Sequence, residues 1–321
     1  MILNEFDIIE KYFKSAYPSS KGNLTLGIGD DAAIINVAEE SELVISTDTL
    51  VSGVHFFENT LPEDIAYKAL SVNLSDIAAM GALPRWVSLS LTLPSKDLDW
   101  IEKFSSSFNQ LAIDQSLILI GGDLTKGPLS ITVQIHGVAP QGQSLRRSGA
   151  NVGDLIYVTG ELGAAAYALK HIEDSNKFAQ STDKEIQRLY RPDARIKTGL
   201  ELRNVATSCI DISDGLLADL GHVLKASNVG AEIKLSEIPY SDSLKKLDED
   251  LAITLALTGG DDYELCFTLP KGLPDSVMDE LKLICPVHCI GQINKDVSKL
   301  SLINENDELY EIKSKAYRHF N

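Results

Sequence analysis

The chain has 321 residues, of which 44% are hydrophobic, and its formal net charge is −17. This length is more than one hydrophobic core usually serves, which predicts two domains, and the ordinary apolar content excludes a disordered chain. The acidic balance argues against a nucleic-acid or anionic-membrane binder, and no uninterrupted apolar run of about 18 residues predicts a membrane span.

The first part of the chain reads as a few strands crossed by two helices, an α+β layer. Its predicted elements are a helix at 4–17 capped by Asn4, strands at 32–37 and 42–46, a helix from Pro62 to Gly81, a strand at 86–93, a helix at 97–115, and strands at 117–120 and 129–136. The strands at 86–93 and 129–136 alternate apolar with polar residues, as strands with one buried face do. Because a small open sheet exposes its edges, they also predict a C2 homodimer that pairs the sheets of two subunits.

The segment Gln141–Gly153 is rich in Gly and Ser and has no apolar period, so it marks the expected boundary between domains at 1–145 and 146–321. The elements predicted beyond it are a strand at 155–159, helices near 164–171 and 185–205, a strand at 208–212, a helix after Asp214, and strands at 231–235 and 263–269. This order predicts an α/β-type layered domain.

The cysteines and the N-terminal segment bear on the compartment. The four cysteines are Cys209, Cys266, Cys285 and Cys289. Four in a chain of this length do not make a disulfide framework. Cys285 and Cys289 flank His288, which leaves a zinc site as an alternative, although buried free thiols are common. The N-terminal segment carries Glu5 and Asp7 and lacks the basic segment followed by an apolar run that marks a signal peptide. We therefore expect a cytoplasmic protein.

Aspartates beside Gly, Ser or Thr recur along the chain, most of them after an apolar run that reads as a strand. They lie in the segments GDDA (29–32), STDT (46–49), NLSD (73–76), GGD (121–123), DISDG (211–215) and GGDD (259–262). Because converging carboxylates repel each other unless cations join them, the set predicts Mg²⁺ held near phosphate groups. Any one motif alone is more often a turn or a cap. Asp76 differs, because it falls inside a predicted helix, where it needs a partner unless solvent reaches it.

Familiar nucleotide-binding and hydrolase motifs do not occur in the sequence. It contains no G-x-x-x-x-G-K-[ST] loop, no protein-kinase motif set and no G-x-S-x-G elbow. Residues 27–32 formally fit G-x-G-x-x-A, but two aspartates would face the pyrophosphate and no strand leads into a helix there. A dinucleotide site is therefore not expected.

Taken together, the motifs resemble the thiamine-monophosphate kinases, a family of the aminoimidazole-ribonucleotide synthetase-like ATP-binding superfamily. The matching segments are GIGDDAA (27–33), STDTLVSGVHF (46–56), NLSDIAAMGALP (73–84), GGDLTKG (121–127), DISDGLLADLGH (211–222) and TGGDDYELCFT (258–268). Single segments recur across the superfamily, which includes selenophosphate synthetase and a hydrogenase-maturation protein. The combination with STDTL…HF and GDDYEL is much more specific to the thiamine enzymes, and the segments cover almost the whole chain.

The resemblance implies a two-domain α+β fold in which N-terminal sheets pair across a dimer. It also implies Mg²⁺-dependent, direct in-line transfer of the ATP γ-phosphoryl group to thiamine monophosphate, giving thiamine diphosphate and ADP. The metal ligands it implies are Asp30, Ser46, Thr47, Asp48, Asp76, Asp123, Asp211 and Asp214. The ATP contacts are Gly122, Asp123, Arg147 and Ser213, and the substrate contacts are His55, Glu264 and Tyr317.

Two alternatives stay open from the sequence: another ATP-dependent synthetase of the superfamily, and a non-catalytic Mg²⁺–nucleotide-binding protein. By residue type alone, a histidine such as His55 more often belongs to the surface or the core than to a binding site. Arg147 beside Arg146 is by default a solvated pair. Likewise, Tyr317 can pack the C-terminal tail and Glu264 can face water. No side chain is predicted to act as a general base.

Overall fold

The computed structural model describes residues 4–17, 23–175 and 184–312. The chain splits into two compact units, one formed by Met1–Ile77 with Ala82–Gly142 and the other by Ala78–Gly81 with Gln143–Asn321. Among the residues with described positions, no helix is both long and apolar enough to cross a membrane.

The first unit begins with a short helical segment of changing pitch. Helix α1 (Glu5–Ile8) continues into a π-helical turn and a 3₁₀ turn. Asn4 caps it as predicted, since its side chain accepts from the Asp7 amide at 3.0 Å and its own amide donates to the Asp7 carboxylate at 2.8 Å. The remaining elements are β1 (Leu24–Leu26), β2 (Ile34–Ile35), β3 (Ser41–Val51), α2 (Pro62–Ala79), β4 (Leu83–Leu93), α3 (Leu98–Asp114), β5 (Ile118–Lys126) and β6 (Ser130–Pro140).

A four-stranded sheet organises the described part of this unit, in the order β3-β6-β4-β5. Strand β6 runs antiparallel to both β3 and β4, and β5 runs parallel to β4. The predicted alternating strands, β4 and β6, are confirmed and lie side by side in its centre. The edges are therefore β3 and β5, rather than the two strands from which the dimer was expected.

The sheet has one apolar and one polar face. Val87, Leu89 and Leu91 of β4 register with Ile135, Val133 and Ile131 of β6, and all six are buried. Helix α2 covers this apolar face, because a Cβ on Gly137 of β6 would lie 3.1 Å from the Ile77 side chain. The opposite face carries polar side chains such as Thr47, Gln134 and Ser88, which register across β3, β6 and β4.

Two predicted strand ends in this unit are wrong. The strand expected at 42–46 extends through Asp48 to Val51, and the strand expected to stop before Gly121 continues to Lys126. In both cases continuous pairing with a neighbouring strand overrides the weak local strand propensity of Asp and Gly. Gly122 also has a packing role, since a Cβ there would overlap the Leu89 carbonyl group of β4.

The elements of the second unit are β7 (Leu155–Thr159), α4 (Ala164–Ser175), α5 (Lys184–Tyr190), α6 (Ile196–Leu202), β8 (Ser208–Asp211), α7 (Leu216–Ser227), β9 (Gly230–Lys234), α8 (Glu249–Thr258), β10 (Leu265–Leu269), α9 (Asp275–Ile284), β11 (Val287–Asn294), β12 (Leu300–Ile303) and β13 (Leu309–Tyr310). Its described strands form a seven-stranded sheet in the order β13-β12-β9-β11-β7-β10-β8. All neighbours are antiparallel except β12 and β9.

The predicted strands β7, β8, β9 and β10 are confirmed, with small differences at their ends. The single helix predicted at 185–205 is wrong, because the chain leaves helical geometry after Tyr190 and re-enters it at Ile196. Pro192 explains the break, since proline disfavours helical geometry in the residue before it and lacks an amide donor. Helices α8 and α9 and strands β11, β12 and β13 were not predicted.

The aromatic row on α3 offers a test of the first unit's core. Phe104 is fully buried and stacks on Trp100 and Phe108, with ring centroids 5.0 and 6.1 Å apart. Phe104→Ala is expected to lower the free energy of unfolding by about 3–5 kcal/mol, because it leaves a cavity. Ile113→Ala on the same helix, where the side chain is 53% exposed, should cost less than about 1 kcal/mol. Equal losses in urea-unfolding midpoints would contradict this packing.

Candidate active site

Two aspartates meet between β3 and α2 in the first unit. The carboxyl groups of Asp48, in the middle of β3, and Asp76, in α2, are hydrogen-bonded to each other. The Ser46 hydroxyl donates to the Asp76 carboxylate, and the Asp48 amide donates to the side-chain oxygen of Asn73 at 3.2 Å. Asn73 is itself fixed by a 2.9 Å bond from its amide nitrogen to the Ala69 carbonyl. The structure therefore brings Ser46, Asp48 and Asp76 together, as predicted for metal ligands.

This arrangement puts two like charges in contact. Burial, the charge of Asp76 and the hydrogen bond with Asp76 together raise the pKa of Asp48 to about 7. Either a proton or a cation must relieve the repulsion. Two carboxylates and one hydroxyl are the hard oxygen donors that Mg²⁺ prefers, so this donor set fits the ion. No cluster of three or more His, Cys, Asp or Glu side chains suited to a metal occurs in residues 4–17, 23–175 and 184–312.

A cavity of about 800 Å³ in the same unit collects other predicted residues. Asp30, Gly122 and Asp123 line it, as does the neighbouring Asp31. The Asp30 carboxylate accepts from the Asp31 amide at 2.9 Å, and Asp123 is exposed. Apolar side chains of α1 and β5 complete the lining, so the cavity offers both acidic and apolar walls.

The sheet divides the predicted metal ligands of this unit between its two faces. Asp123 registers with Ser90 of β4 on the polar face, the face that also carries Thr47. Asp48 points the other way, towards α2, because successive side chains of a strand alternate. Thr47 is exposed and accepts a 3.3 Å bond from Gln134. The motif S-T-D therefore presents oxygen atoms on both sides of one strand.

His55 follows β3 in a turn that fixes its ring. The Val51 amide donates to Nδ1 of His55 at 3.1 Å, and the His55 amide donates back to the Val51 carbonyl at 3.0 Å. Since Nδ1 accepts, the neutral imidazole carries its proton on Nε2. The ring is therefore held as a donor through Nε2, which suits binding of an oxygen or nitrogen acceptor.

In the second unit, Asp211, Ser213 and Asp214 lie where β8 ends. Asp211 is the last residue of β8 and is buried. The loop that follows is ordered by Asp219 of α7, whose carboxylate accepts from the amides of Ser213 at 2.9 Å and Asp214 at 3.0 Å. Burial raises the pKa of Asp219 to about 7, while these amides and the charge of Arg147 oppose the rise. Arg147 thus acts in the same neighbourhood as Ser213 and Asp214.

Asp219 was not among the predicted site residues, although it lies in a segment that carried the resemblance. Its role depends on the chain turning back over the helix N-terminus, which residue type alone does not reveal. A recognisable signal is an acid in the first turn of a helix that follows Ser-Asp-Gly, where backbone amides need an acceptor.

The GGDD segment packs against that loop in a strained conformation. The amides of Asp261 and Tyr263 donate to the carbonyls of Ser213 and Ile212 at 2.9 and 2.8 Å. Asp261 and Tyr263 both have positive φ angles, of 68° and 50°. Such geometry in non-glycine residues persists only where the surroundings enforce it, and it clusters at functional sites.

Glu264, predicted to contact the substrate, is completely buried. Its carboxylate accepts from Arg188, from Arg195 through both Nε and Nη2 at 2.6 Å, and from the Thr159 hydroxyl at 2.5 Å. Although burial acts in the opposite direction, the two arginines lower the pKa of Glu264 below its usual range. Tyr317, the other predicted contact, lies outside the described residues.

The Asp48–Asp76 pair makes the metal-free protein sensitive to pH. An acid whose pKa is higher in the folded than in the unfolded state weakens folding as pH rises between the two values, here from about 4 to about 7. Asp48→Asn removes one such proton. In EDTA, the free energy of unfolding of the unmodified protein should therefore fall more steeply with pH than that of the variant, by up to about 1.4 kcal/mol per pH unit. Parallel curves from chemical denaturation would contradict the shared-charge geometry.

Comparison with known proteins identifies the family of this chain. Residues 29–139 match the N-terminal domain of the AIR synthase related protein family, and residues 151–302 match its C-terminal domain. The thiamine-monophosphate kinase of Escherichia coli K12 is 47% identical over 326 aligned positions, which span 100% of this chain and 99% of that protein.

Solved structures give the same result. The crystal structure of thiamine-monophosphate kinase from Stenotrophomonas maltophilia K279a superposes with a TM-score of 0.86 at 41% identity, covering 96% of this chain and 98% of that one. AaThiL, solved in complex with AMPPCP and TMP, superposes with a TM-score of 0.76 at 30% identity, covering 100% of this chain and 99% of that one. The two AIR synthase related domains and this full-length similarity show that the chain belongs to the thiamine-monophosphate kinase family.

Proposed function

We propose that this protein transfers the γ-phosphoryl group of ATP to thiamine monophosphate, giving thiamine diphosphate and ADP. The observation that carries the proposal is the hydrogen-bonded pair Asp48–Asp76 with Ser46 beside it, in a chain of this family. Such a pair is unfavourable alone and becomes favourable when a divalent cation joins it. A phosphotransferase that brings two polyanions together needs such a cation site.

The residues that would hold Mg²⁺ are Asp30, Ser46, Thr47, Asp48, Asp76, Asp123, Asp211 and Asp214. When bound, the ions neutralise phosphate charge as it shifts during transfer. The cavity that contains Asp30, Gly122 and Asp123 supports a nucleotide position in the first unit. Ser213, on the loop held by Asp219, and Arg147 would contact the phosphates of ATP, where a guanidinium can donate two parallel bonds.

The chain needs no general base for this reaction. The attacking group is a phosphate oxygen of thiamine monophosphate, and a phosphate monoester loses its second proton near pH 6. At neutral pH the nucleophile is already mostly dianionic, unlike a hydroxyl acceptor. His55, with its proton fixed on Nε2, therefore serves to bind and orient the substrate, and the transfer is direct, without a phosphoenzyme.

The proposed activity is tested by incubating purified protein with ATP, thiamine monophosphate and Mg²⁺ and identifying the products by mass spectrometry. Equal amounts of thiamine diphosphate and ADP are expected. ATP binding without turnover would indicate a nucleotide-binding protein. ATP consumption with another phosphorylated product would indicate a different synthetase of the superfamily. Either of these results would overturn the proposal.

Removing a carboxylate from the pair should disable turnover without unfolding the chain. Asp48→Asn and Asp76→Asn are each expected to lower kcat by about 100-fold or more, because they remove charge stabilisation that acts in the transition state. Asp99→Asn, which removes an exposed acid of α3 that pairs with Lys103, serves as the matched control. Near-normal rates for both Asn variants at limiting Mg²⁺ would exclude the pair as the metal site.

His55→Gln separates binding from acid–base catalysis. Gln cannot exchange a proton, and its amide does not place a donor where Nε2 of His55 lies, so a binding role predicts a higher KM for thiamine monophosphate with a smaller loss in kcat. The expected rise in KM is about tenfold, the equivalent of one hydrogen bond to a charged ligand. Steady-state kinetics that show a collapsed kcat at unchanged KM would instead restore His55 as a base.

A homodimer is proposed through the edge and polar face of the first unit's sheet. Strand β3 is an edge strand in the described sheet, is 11 residues long, and exposes Leu43 and Ile45 by 38% and 53%. A long edge strand with exposed apolar side chains favours association with another chain. Light scattering at micromolar concentration is expected to give twice the 35.0 kDa chain mass, and Ile45→Glu should shift it towards the monomer. A monomeric unmodified protein would contradict this assembly.

A further inference from the structure

The hydrogen-bonding capacity of Glu264 is fully used inside the second unit. One carboxylate oxygen accepts from Arg188 and from Nη2 of Arg195, and the other accepts from Nε of Arg195 and from the Thr159 hydroxyl. Two oxygens with four donors leave no lone-pair direction for a ligand. The side chain is also 0% exposed, and Gly160 packs so closely that a Cβ there would overlap the carboxylate. Glu264 therefore cannot contact a substrate directly without losing these partners.

The two arginines, by contrast, can reach a ligand. Their side chains are 19% exposed at Arg188 and 17% exposed at Arg195. A guanidinium has five N–H donors, and Glu264 takes only two from Arg195 and one from Arg188. Because Glu264 accepts from both Nε and Nη2 of Arg195, it fixes the orientation of that guanidinium group, and it holds Arg188 beside it through Nη2. A fixed, partly exposed guanidinium pair is the arrangement that binds phosphate with two parallel bonds.

The charges around the pair favour an anion. Two guanidinium charges share the single buried carboxylate of Glu264. Asp262, buried nearby, has a pKa raised to about 8 by burial, so it is mostly uncharged at neutral pH, and both of its oxygens lie near the Gly163 amide. The exposed Asp193 is the other carboxylate whose charge acts on Arg195. Because Asp193 is exposed, solvent screens its charge, and an anionic ligand would balance the charge that the buried Glu264 leaves unmatched.

The location links the pair to the proposed metal ligands of the same unit. The main-chain carbonyl of Glu264 accepts from the Ile212 amide at 2.8 Å, and Ile212 lies between Asp211 and Ser213. Leu265, the next residue, registers with Asp211 across β10 and β8. The main chain of Glu264 therefore adjoins the end of β8, which carries these proposed ligands.

We propose that Arg188 and Arg195 bind the phosphate of the acceptor substrate, and that Glu264 is the positioning residue that orients both guanidinium groups. This inference rests on the proposed function, because it takes the acceptor to be a phosphate monoester. It assigns substrate recognition to two arginines on α5 and at the start of α6, and gives Glu264 an indirect role. Recognition of the phosphate, rather than of the thiamine rings, is the property that these residues supply.

The test compares binding of thiamine monophosphate with binding of thiamine, which lacks the phosphate, by calorimetry on the full chain. The dissociation constant of thiamine divided by that of thiamine monophosphate measures the contribution of the phosphate alone. Arg188→Gln, Arg195→Lys and Glu264→Gln are each expected to reduce this ratio by about tenfold or more, since a charge-assisted bond is lost or misaligned. Lys184→Gln is the matched control, a cation on the same helix that pairs with Glu161 instead and should leave the ratio unchanged.

Folding is checked separately by circular dichroism and urea unfolding, and the Arg195→Lys variant keeps the charge if the others prove unstable. A merely structural role for the cluster would lower stability and weaken both ligands together. An unchanged ratio in folded variants that still bind thiamine monophosphate would overturn this inference and leave the proposed function intact. If the unmodified protein binds no thiamine monophosphate, the proposed function fails, and this inference fails with it.

Discussion

Two like charges in hydrogen-bond contact, on Asp48 and Asp76, are the constraint around which the first unit's site is arranged. Neither carboxylate can move away. Asp48 lies within an 11-residue strand that pairs along its whole length with β6, and Asp76 lies in a helix packed on the same sheet face. The fold thus holds an unfavourable pair together, and only a proton or a cation makes it stable. A site that stays in place without its ion binds that ion without having to reorganise.

Glu264, a fully buried acid of the second unit, is surrounded by donors rather than by another acid. Glu264 receives four donors and stays ionised despite complete burial, whereas Asp48 has another acid as a neighbour and a pKa near 7. The hydrogen bonds of Glu264 are complete within the protein, and they fix the two neighbouring arginines. The Asp48–Asp76 pair lacks a partner of opposite charge and therefore favours binding of a cation. This difference in partners separates Glu264, which we propose positions other residues, from the Asp48–Asp76 pair, which we propose binds metal.

Much of the fold follows from local sequence signals, and the limits of those signals are physical. Pro62 and Asp97 mark helix starts that the structure confirms, and the alternation in β4 and β6 indicates their buried face. The middle of β3 and the extension of β5 through Gly122 depend on pairing with distant strands, which a local reading misses. The helix break near Pro192 can be predicted from the sequence, because proline disfavours helical geometry in the residue before it.

The site shows the same division. The aspartate motifs predict the positions of metal ligands, and the structure groups Ser46 with Asp48 and Asp76, and Asp30 with Gly122 and Asp123. The supporting residues were not apparent from the sequence. Asp219, Arg188 and Arg195 are ordinary charged residues of helices or loops until tertiary contacts join them to Ser213 or Glu264. Partners far apart in the chain leave no local pattern.

We propose that a divalent cation takes the place of the proton shared by Asp48 and Asp76. Proton release on binding of Mg²⁺ to the nucleotide-free protein at pH 7 tests it most directly. It is measured by titration calorimetry in two buffers of different ionisation enthalpy. A group with a pKa of about 7 is half protonated at this pH, so about half a proton should be released per site, and none from Asp48→Asn. Binding of Mg²⁺ without proton release, or with equal release from the variant, would contradict the account.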